Sequence, residues 1–204
     1  MVGRTICISH ATGAQGTLVG RTVAERLGFQ YVDDEVIAEA AEWGELDPAL
    51  VADAERRKPL VARLLGGIAE QSSAPRLPGG DIGGRSLPSD ADLRHMIVTA
   101  VGSFVSRGSV VIVAHAASFA VTDGEALRVL VTASPDRRAK RLASERNVDV
   151  KQAERMIKDE DAGRATYLKR FYGVDEELPT HFDLVVNTDV LSADDATNVI
   201  LAAV

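Results

Sequence analysis

The strongest constraint on the fold lies in the first 28 residues, where an apolar segment, a glycine-containing loop and an amphipathic segment follow one another. Residues 5–9 (TICIS) are β-branched or apolar and predict a buried parallel strand. The loop that follows, residues 10–17, has the sequence HATGAQGT. Beyond it, apolar side chains recur every four positions and predict a helix that ends at Gly28: Val19, Val23 and Leu27.

A strand, a glycine loop and a helix in this order form a site for anions, because the helix N-terminus presents unpaired N–H groups and about half a positive charge. Gly13 and Gly16 let the backbone approach phosphate oxygens. The full phosphate-binding pattern is GxxxxGK[ST]. On this chain Ala11 takes the first glycine position, Thr17 the lysine position and Leu18 the position of the Mg²⁺-binding hydroxyl. The alternative is that the glycines serve only the turn.

The rest of the chain alternates predicted strands with predicted helices. Four apolar segments predict further strands: residues 29–32, 110–113, 127–132 and 184–187. The strand at residues 110–113 is predicted to be buried. Ser89 and Asp92 predict the start of one helix, and Gly108 its end. This alternation predicts a single α/β domain, residues 1–204, whose parallel sheet carries helices on both faces. Residues 43–95 are predicted to form a helical insertion, in which residues 72–88 are a mobile loop.

Composition and charge limit the class of function. The net charge of −7 argues against nucleic acid or a membrane surface as a partner. Cys7, the single cysteine, lies in an apolar segment and is expected to be a small core residue. No signal peptide or bilayer-spanning segment is recognised, so we expect a cytoplasmic protein.

Four segments together resemble the cytidylate-kinase-like branch of the P-loop nucleoside monophosphate kinases: TICISHATGAQGTLVGRTVAERLGFQYVDDEVIAEAA, VVIVAHAASFAV, LRVLVTASPDRRAKRLASE and DEDAGRATYLKRFYG. The resemblance covers nearly the whole chain in order and spacing. It implies a three-layer, P-loop kinase-like fold with a five-stranded parallel sheet of order 2-3-1-4-5 and a helical lid at residues 149–173. It also implies transfer of a phosphoryl group from ATP, with Mg²⁺, to a pyrimidine monophosphate.

The resemblance further implies roles for individual residues. The residues that would wrap the donor phosphates are Gly13, Ala14, Gln15, Gly16 and Thr17. Asp33 would lie near the acceptor nucleotide, although it could equally cap the helix that follows it. The basic residues that would share the charge of the transition state are Arg137, Arg141, Arg164, Lys169 and Arg170. The alternative is that these cations form a solvated helix face, or intrahelical ion pairs with acidic neighbours in the lid.

The sequence departs from the family pattern at three places. Thr17 replaces the lysine, Leu18 removes the Mg²⁺ hydroxyl, and Ala114-His115 stands where the family has Gly-Arg. Losing one such contact typically slows the reaction about a hundredfold or more. If the loop register shifts by one residue, the Thr17 hydroxyl would contact Mg²⁺ instead. The rival hypothesis is therefore a pseudokinase that binds nucleotides and acts through a partner or a homodimer.

His10 and His115 each follow the carboxyl end of a strand. In a sheet of order 2-3-1-4-5 those strands are neighbours, and ligands of open α/β sheets bind at this edge. The two imidazoles would then supply pH-dependent positive charge where lysine and arginine are missing. The alternative is two unrelated polar residues in turns. Equal nucleotide affinity at about pH 6 and pH 8 and in His115→Ala would exclude the histidine hypothesis.

Overall fold

The computed structural model describes residues 5–33, 89–113, 116–121 and 124–204. The strands in these ranges are β1 (Thr5–His10), β2 (Gln30–Val32), β3 (Val110–Ile112), β4 (Leu127–Thr132) and β5 (Leu184–Asn187). The α-helices are α1 (Gly16–Leu27), α2 (Asp90–Arg107), α3 (Pro135–Arg146), α4 (Val150–Tyr172) and α5 (Ala193–Ala203). Short 3₁₀ turns occur at Ala117–Phe119 and Pro179–His181. Most of the predicted helical insertion (residues 43–95), including the predicted loop 72–88, lies outside the described residues.

The five strands form one parallel sheet in the order β2-β3-β1-β4-β5, as the resemblance implied. Strand β1 is central, with Cys7 opposite Ile112 on one side and Arg128 on the other. All strands run in the same direction, so their carboxyl ends meet at one edge of the sheet. In an open α/β sheet this edge is the one that binds ligands.

Side chains of β1 alternate between two apolar layers, which gives the three-layer architecture. Ile6 and Ile8 pack with α1 and α5, whereas Cys7 points to the opposite face and packs with α2. Helix α2 contributes Ile97 and Val101 to that second layer. Cys7 is fully buried as predicted, and burial raises the pKa of its thiol to about 12. The strand interiors are thus covered on both sides, as a parallel sheet requires.

The predicted helix ends are confirmed where the sequence carried capping signals. Ser89 and Asp92 form a reciprocal capping box at the start of α2. Gly28 and Gly173 adopt left-handed backbone conformations that end α1 and α4. Asp149 caps α4 through the N–H of Gln152. None of the helices in the described ranges is long and apolar enough to cross a membrane.

Candidate phosphate site

The candidate site lies at the carboxyl edge of the sheet, around the loop between β1 and α1. This segment, residues 11–17, is called the phosphate loop below. The N–H of Ala11 donates to the carbonyl of Val131 in β4 at 3.1 Å, which fixes the start of the loop to the sheet. The N–H of Ala14 donates to the carbonyl of Ala11 at 2.9 Å, so the loop closes on itself in a turn. The amide of Ala14, a predicted phosphate ligand, is therefore already used within the loop.

Both glycines of the phosphate loop are required by close packing. Gly13 has a φ of 80°, and a Cβ there would lie 2.7 Å from the carbonyl oxygen of Arg138. A Cβ at Gly16 would lie 2.2 Å from the Cβ of His10. The loop is thus held between α3 on one side and the end of β1 on the other, which fixes its path.

The first N–H groups of α1 have no cap. Gln15 precedes the helix in a left-handed conformation and makes no side-chain capping hydrogen bond, and the first turn holds no acidic residue. Within the described ranges, no backbone carbonyl accepts a hydrogen bond from the N–H of Gln15, Gly16 or Thr17. Donors gathered at a helix N-terminus bind anions, because the helix dipole adds partial positive charge to them. This geometry is the one that the sequence predicted for donor phosphates.

His10 lies directly behind these amides. Its Nε2 is 3.4 Å from the Oγ1 of Thr17, and its Nδ1 is 3.4 Å from the carbonyl oxygen of Ala11. Burial lowers the pKa of His10 below 6.5; the Ala11 carbonyl opposes this shift, Arg164 lowers the pKa further, and Asp33 and Glu177 raise it. The shift favours the neutral imidazole, so His10 supplies less positive charge than an exposed histidine unless a bound anion raises its pKa. His115, its predicted companion, lies outside the described residues, so the pairing stays a prediction.

Arg138 is the residue of α3 that supports the phosphate loop. It is buried, and its Nε donates to the carbonyl oxygen of Thr12 at 2.6 Å. Its two terminal nitrogens bind both carboxylate oxygens of Asp161 at 3.0 and 2.6 Å. Arg137, which the resemblance placed at the donor nucleotide, is exposed and forms no hydrogen bond or ion pair with the described residues. The sequence reasoning missed Arg138, whose three-residue spacing from Arg141 places both on one helical face.

Arg141 lies one turn beyond Arg138 and holds the far side of the loop. Its Nη1 donates to the Thr188 hydroxyl at 3.0 Å, and Nη2 donates to the Thr188 carbonyl oxygen. The same Nη1 lies 3.5 Å from the carbonyl oxygen of Gly13. These contacts bind the guanidinium to backbone and hydroxyl oxygens of the protein itself. If Arg141 also binds a nucleotide, as predicted, the same guanidinium must serve both the nucleotide and the loop.

Helix α4, the predicted lid, contacts the phosphate loop through one face. Its acidic residues Glu160 and Asp161 bind Thr12 and Arg138. One turn further along the same face, Arg164 pairs with Glu177 through two hydrogen bonds of 2.6 and 2.8 Å. The alternative of intrahelical ion pairs is wrong for Glu160, Asp161 and Arg164, whose partners lie on other segments.

The two other predicted lid cations pair with carboxylates outside the phosphate loop. Lys169 pairs with Asp175, and both side chains are more than 70% exposed. Arg170 forms a side-on pair with Asp90 at the start of α2, which holds the pKa of that carboxyl below its usual range. Within the described residues neither cation contacts the phosphate loop, so their predicted catalytic roles stay predictions.

Asp33 lies just beyond the end of β2 and accepts a hydrogen bond from the Tyr31 hydroxyl at 3.2 Å. Arg21 of α1 lies over the Tyr31 ring, 4.7 Å from its centroid. Burial and the carboxylate of Asp33 raise the pKa of Tyr31 to about 12. Asp33 thus lies at the sheet edge where the resemblance placed the acceptor nucleotide, and its charge acts on His10. The helix that it was alternatively predicted to cap lies outside the described residues.

The described ranges hold no group of three His, Cys, Asp or Glu side chains suited to a metal ion. The Thr12 hydroxyl donates to Glu160 and Leu18 offers no oxygen, so Thr17 carries the loop hydroxyl that could reach Mg²⁺. Mg²⁺ in phosphate sites usually keeps several waters and takes only one or two protein ligands besides phosphate oxygens. A lone Thr17 hydroxyl therefore fits an ion that arrives with its nucleotide.

Comparison with known proteins agrees with this arrangement. The sequence model described as the cytidylate kinase-like family matches residues 5–190. A cytidylate kinase from Methanocorpusculum labreanum is 27% identical over 199 residues, which cover 98% of this chain and 95% of the relative. A cytidylate kinase from Pyrobaculum arsenaticum is 30% identical over 112 residues, which cover 54% of this chain and 60% of the relative.

Among solved structures, an uncharacterized protein from Eubacterium ventriosum is similar with a TM-score of 0.65 and 18% identity. The similarity covers 98% of this chain and 96% of that protein. At this level of identity the likeness concerns the fold, and it supports the five-stranded parallel arrangement described above.

Proposed function

Because the chain belongs to the cytidylate kinase-like family of the P-loop kinases, we propose that it transfers the γ-phosphoryl group of ATP to a pyrimidine nucleoside monophosphate. The observation that carries this proposal is the uncapped start of α1, where the N–H groups of Gln15, Gly16 and Thr17 have no backbone acceptor in the described residues. Such an array binds phosphate oxygens through fixed dipoles and needs little rearrangement during the reaction.

In this proposal the amides of Gln15, Gly16 and Thr17 bind the β- and γ-phosphates of ATP. Arg164 is the lid cation that we assign to the transferred phosphoryl group, because its charge acts on His10, beside Thr17. A guanidinium there offsets the charge that develops on the transferred phosphoryl group. Asp33 lies across the sheet edge, on the acceptor side. Mg²⁺ arriving with ATP would supply further positive charge, and if the loop register is shifted by one residue, the Thr17 hydroxyl is the group that would hold the ion.

A second candidate is a protein that binds nucleotides without turning them over, alone, as a homodimer or with a partner. It is favoured by Thr17 at the lysine position and by the pairing of Arg164, Lys169 and Arg170 with carboxylates. With the lysine gone and these three cations already neutralised, less positive charge is left for the transition state. Affinity for phosphate would survive in this case, because it depends on the loop amides.

One experiment separates the two candidates. ATP, CMP and dCMP are titrated into the protein by calorimetry, and product formation is then followed by mass spectrometry. Turnover of ATP with CMP or dCMP supports the kinase, and binding without turnover supports the second candidate. A protein that neither binds nor reacts would exclude both.

The loop path itself can be tested with a lysine at the family's position. Thr17→Lys is expected to tighten ATP binding about tenfold, since a phosphate contact by a charged donor contributes on the order of 1.5 kcal/mol. Thr17→Met, of similar length but uncharged, is the matched control. Equal affinity of the two variants would show that position 17 does not face the donor phosphates.

A further inference from the structure

Arg164 and Glu177 form the most enclosed ion pair of the lid. Arg164 Nε donates to Glu177 Oε2 at 2.6 Å, and Nη2 donates to Oε1 at 2.8 Å. The two side chains are 28% and 18% exposed, against 73% and 77% for Lys169 and Asp175. A two-point contact of this kind fixes the plane of the guanidinium as well as its position. Glu177 belongs to the segment after α4, so Arg164 pairs with a residue outside its own helix.

The pair is connected to the phosphate loop through a neighbouring residue of α4. Arg164 lies one helical turn, roughly 5–6 Å, after Glu160. The carboxylate of Glu160 accepts the hydrogen bond from Thr12. Both members of the pair act electrostatically on His10, whose ring contacts Thr17. The helical spacing from Glu160 and the electrostatic effect on His10 together place this guanidinium on the side of α4 that faces the phosphate loop.

The side-on pairing leaves one edge of the guanidinium for another acceptor. Glu177 occupies Nε and one hydrogen of Nη2, whereas Nη1 has no acceptor among the described residues. Arginine carries five donors in a planar fork, so two carboxylate contacts on one edge leave three N–H groups for a second anion. We propose that Glu177 is a positioning residue, which holds the Nε edge of Arg164 so that its Nη1 edge faces the transferred phosphoryl group. This inference rests on the proposed phosphotransferase function.

If Glu177 competed with the nucleotide for Arg164, its removal would have the opposite effect on activity. If Glu177 only neutralised Arg164 and competed with the nucleotide for it, removing the carboxylate would strengthen nucleotide binding and raise the rate. A positioning carboxylate is needed in the transition state more than in the ground state, so its loss lowers kcat while changing ATP affinity little. A misplacement of about 1 Å is enough to cost up to a hundredfold in rate.

The test compares Glu177→Gln with Glu176→Gln, the same change one residue earlier on an exposed side chain. For Glu177→Gln we expect kcat with ATP and CMP to fall 10- to 100-fold, with the Kd for ATP changing less than threefold. Glu176→Gln should have the same kcat and the same Kd for ATP as the unmodified protein. Glu177→Asp, which keeps the charge but shortens the reach, should lower kcat about tenfold without loss of melting temperature, and serves if the glutamine variant folds poorly. In an Arg164→Ala background, Glu177→Gln should have no further effect.

Distinct outcomes separate this inference from the function on which it rests. Turnover by the unmodified protein together with unchanged kcat in Glu177→Gln and Glu177→Asp overturns the positioning role alone. A higher kcat or tighter ATP binding in Glu177→Gln overturns it in favour of a competing counter-ion. Absence of turnover in the unmodified protein overturns the kinase proposal and the positioning role together.

Discussion

Thr12 Oγ1 donates a hydrogen bond of 2.5 Å to Glu160 Oε2, which joins the phosphate loop to the middle of α4. The main chain of the same threonine is held separately, because its carbonyl oxygen accepts from Arg138, the partner of Asp161. Thr12 is thus bound to the lid directly through its side chain, and its backbone is linked to the lid through Arg138 of α3. One consequence is electrostatic: the carboxylate of Glu160 lies beside a loop that is built to attract anions.

Removing the Glu160 charge should strengthen ATP binding. In Glu160→Gln the amide can still bind Thr12, but repulsion toward the phosphates is lost. For partly exposed charges several ångströms apart this repulsion is about 0.5–1 kcal/mol, so a two- to fivefold lower Kd for ATP is expected by calorimetry. Asp159→Asn, the same charge change on an exposed neighbour, is the control. An equal or weaker affinity in Glu160→Gln would contradict the proposed place of the phosphates.

Arg138 should matter for stability where its neighbour Arg137 does not. Arg138→Ala leaves the Thr12 carbonyl and the Asp161 carboxylate without their donor, and we expect a loss of about 2 kcal/mol in the free energy of unfolding. Arg137→Ala, on an exposed side chain, should change it by less than about 0.5 kcal/mol. Urea denaturation followed by circular dichroism measures both. Similar values for the two variants would mean that Arg138 does not support the loop.

An added methyl group should have opposite effects in the loop and on the α2 surface. Gly16→Ala places a Cβ against that of His10 and forces the start of α1 to move, at a cost of about 3 kcal/mol. Gly102→Ala meets nothing within 4 Å and should stabilise the protein by about 0.5–1 kcal/mol, because alanine favours the helix. Thermal or urea unfolding reports both changes. A tolerated alanine at position 16 would show that the loop does not pack on His10.

His10 should make the protein sensitive to mild acid. Its pKa in the folded protein is lower than in the unfolded chain, so the unfolded chain binds the proton more readily. The contribution of His10 to the free energy of unfolding is therefore fully present above the unfolded pKa of about 6.5. It decreases as pH falls through that value toward the pKa of the folded protein. Unfolding at pH 7.5 and 5.0 should show a smaller difference for His10→Asn than for the unmodified protein. His95→Asn, an exposed histidine of α2, is the control, and equal acid sensitivity of the two variants would exclude burial of His10 as the cause.

Local signals in the sequence were sufficient for the elements. The capping pair Ser89 and Asp92 and the terminal glycines Gly28 and Gly173 act within a few residues of themselves, so they fixed helix ends correctly. Strands β4 and β5 were predicted with the observed bounds, because each is a short, mainly apolar segment. Burial alternates along β4, and in β5 only Val186 is buried. The strand order came from the family resemblance, since local patterns carry no information on which strands pair.

The partners of the charged residues could not be predicted in the same way. Arg137 and Arg138 are neighbours in sequence, and only the packing of α3 decides which of them is buried. Glu177 lies 13 residues beyond Arg164, outside the range of helical neighbours, and becomes its partner because the chain turns back after Gly173. Thr12 and Glu160 are separated by 148 residues. Long-range ion pairs of this kind follow from the tertiary fold.

The length of helix α4 affects how the lid can move. Its 23 residues form one rod of about 35 Å. Near its start it packs on α3 through Ile157, and near its end Phe171 packs beside Leu93 of α2. If the helix moves as one rod when a nucleotide binds at the phosphate loop, the apolar contacts near both ends and the polar contacts at its centre must change together. Association should then be slow compared with diffusion, and a stopped-flow measurement would detect that delay even where equilibrium titrations look ordinary.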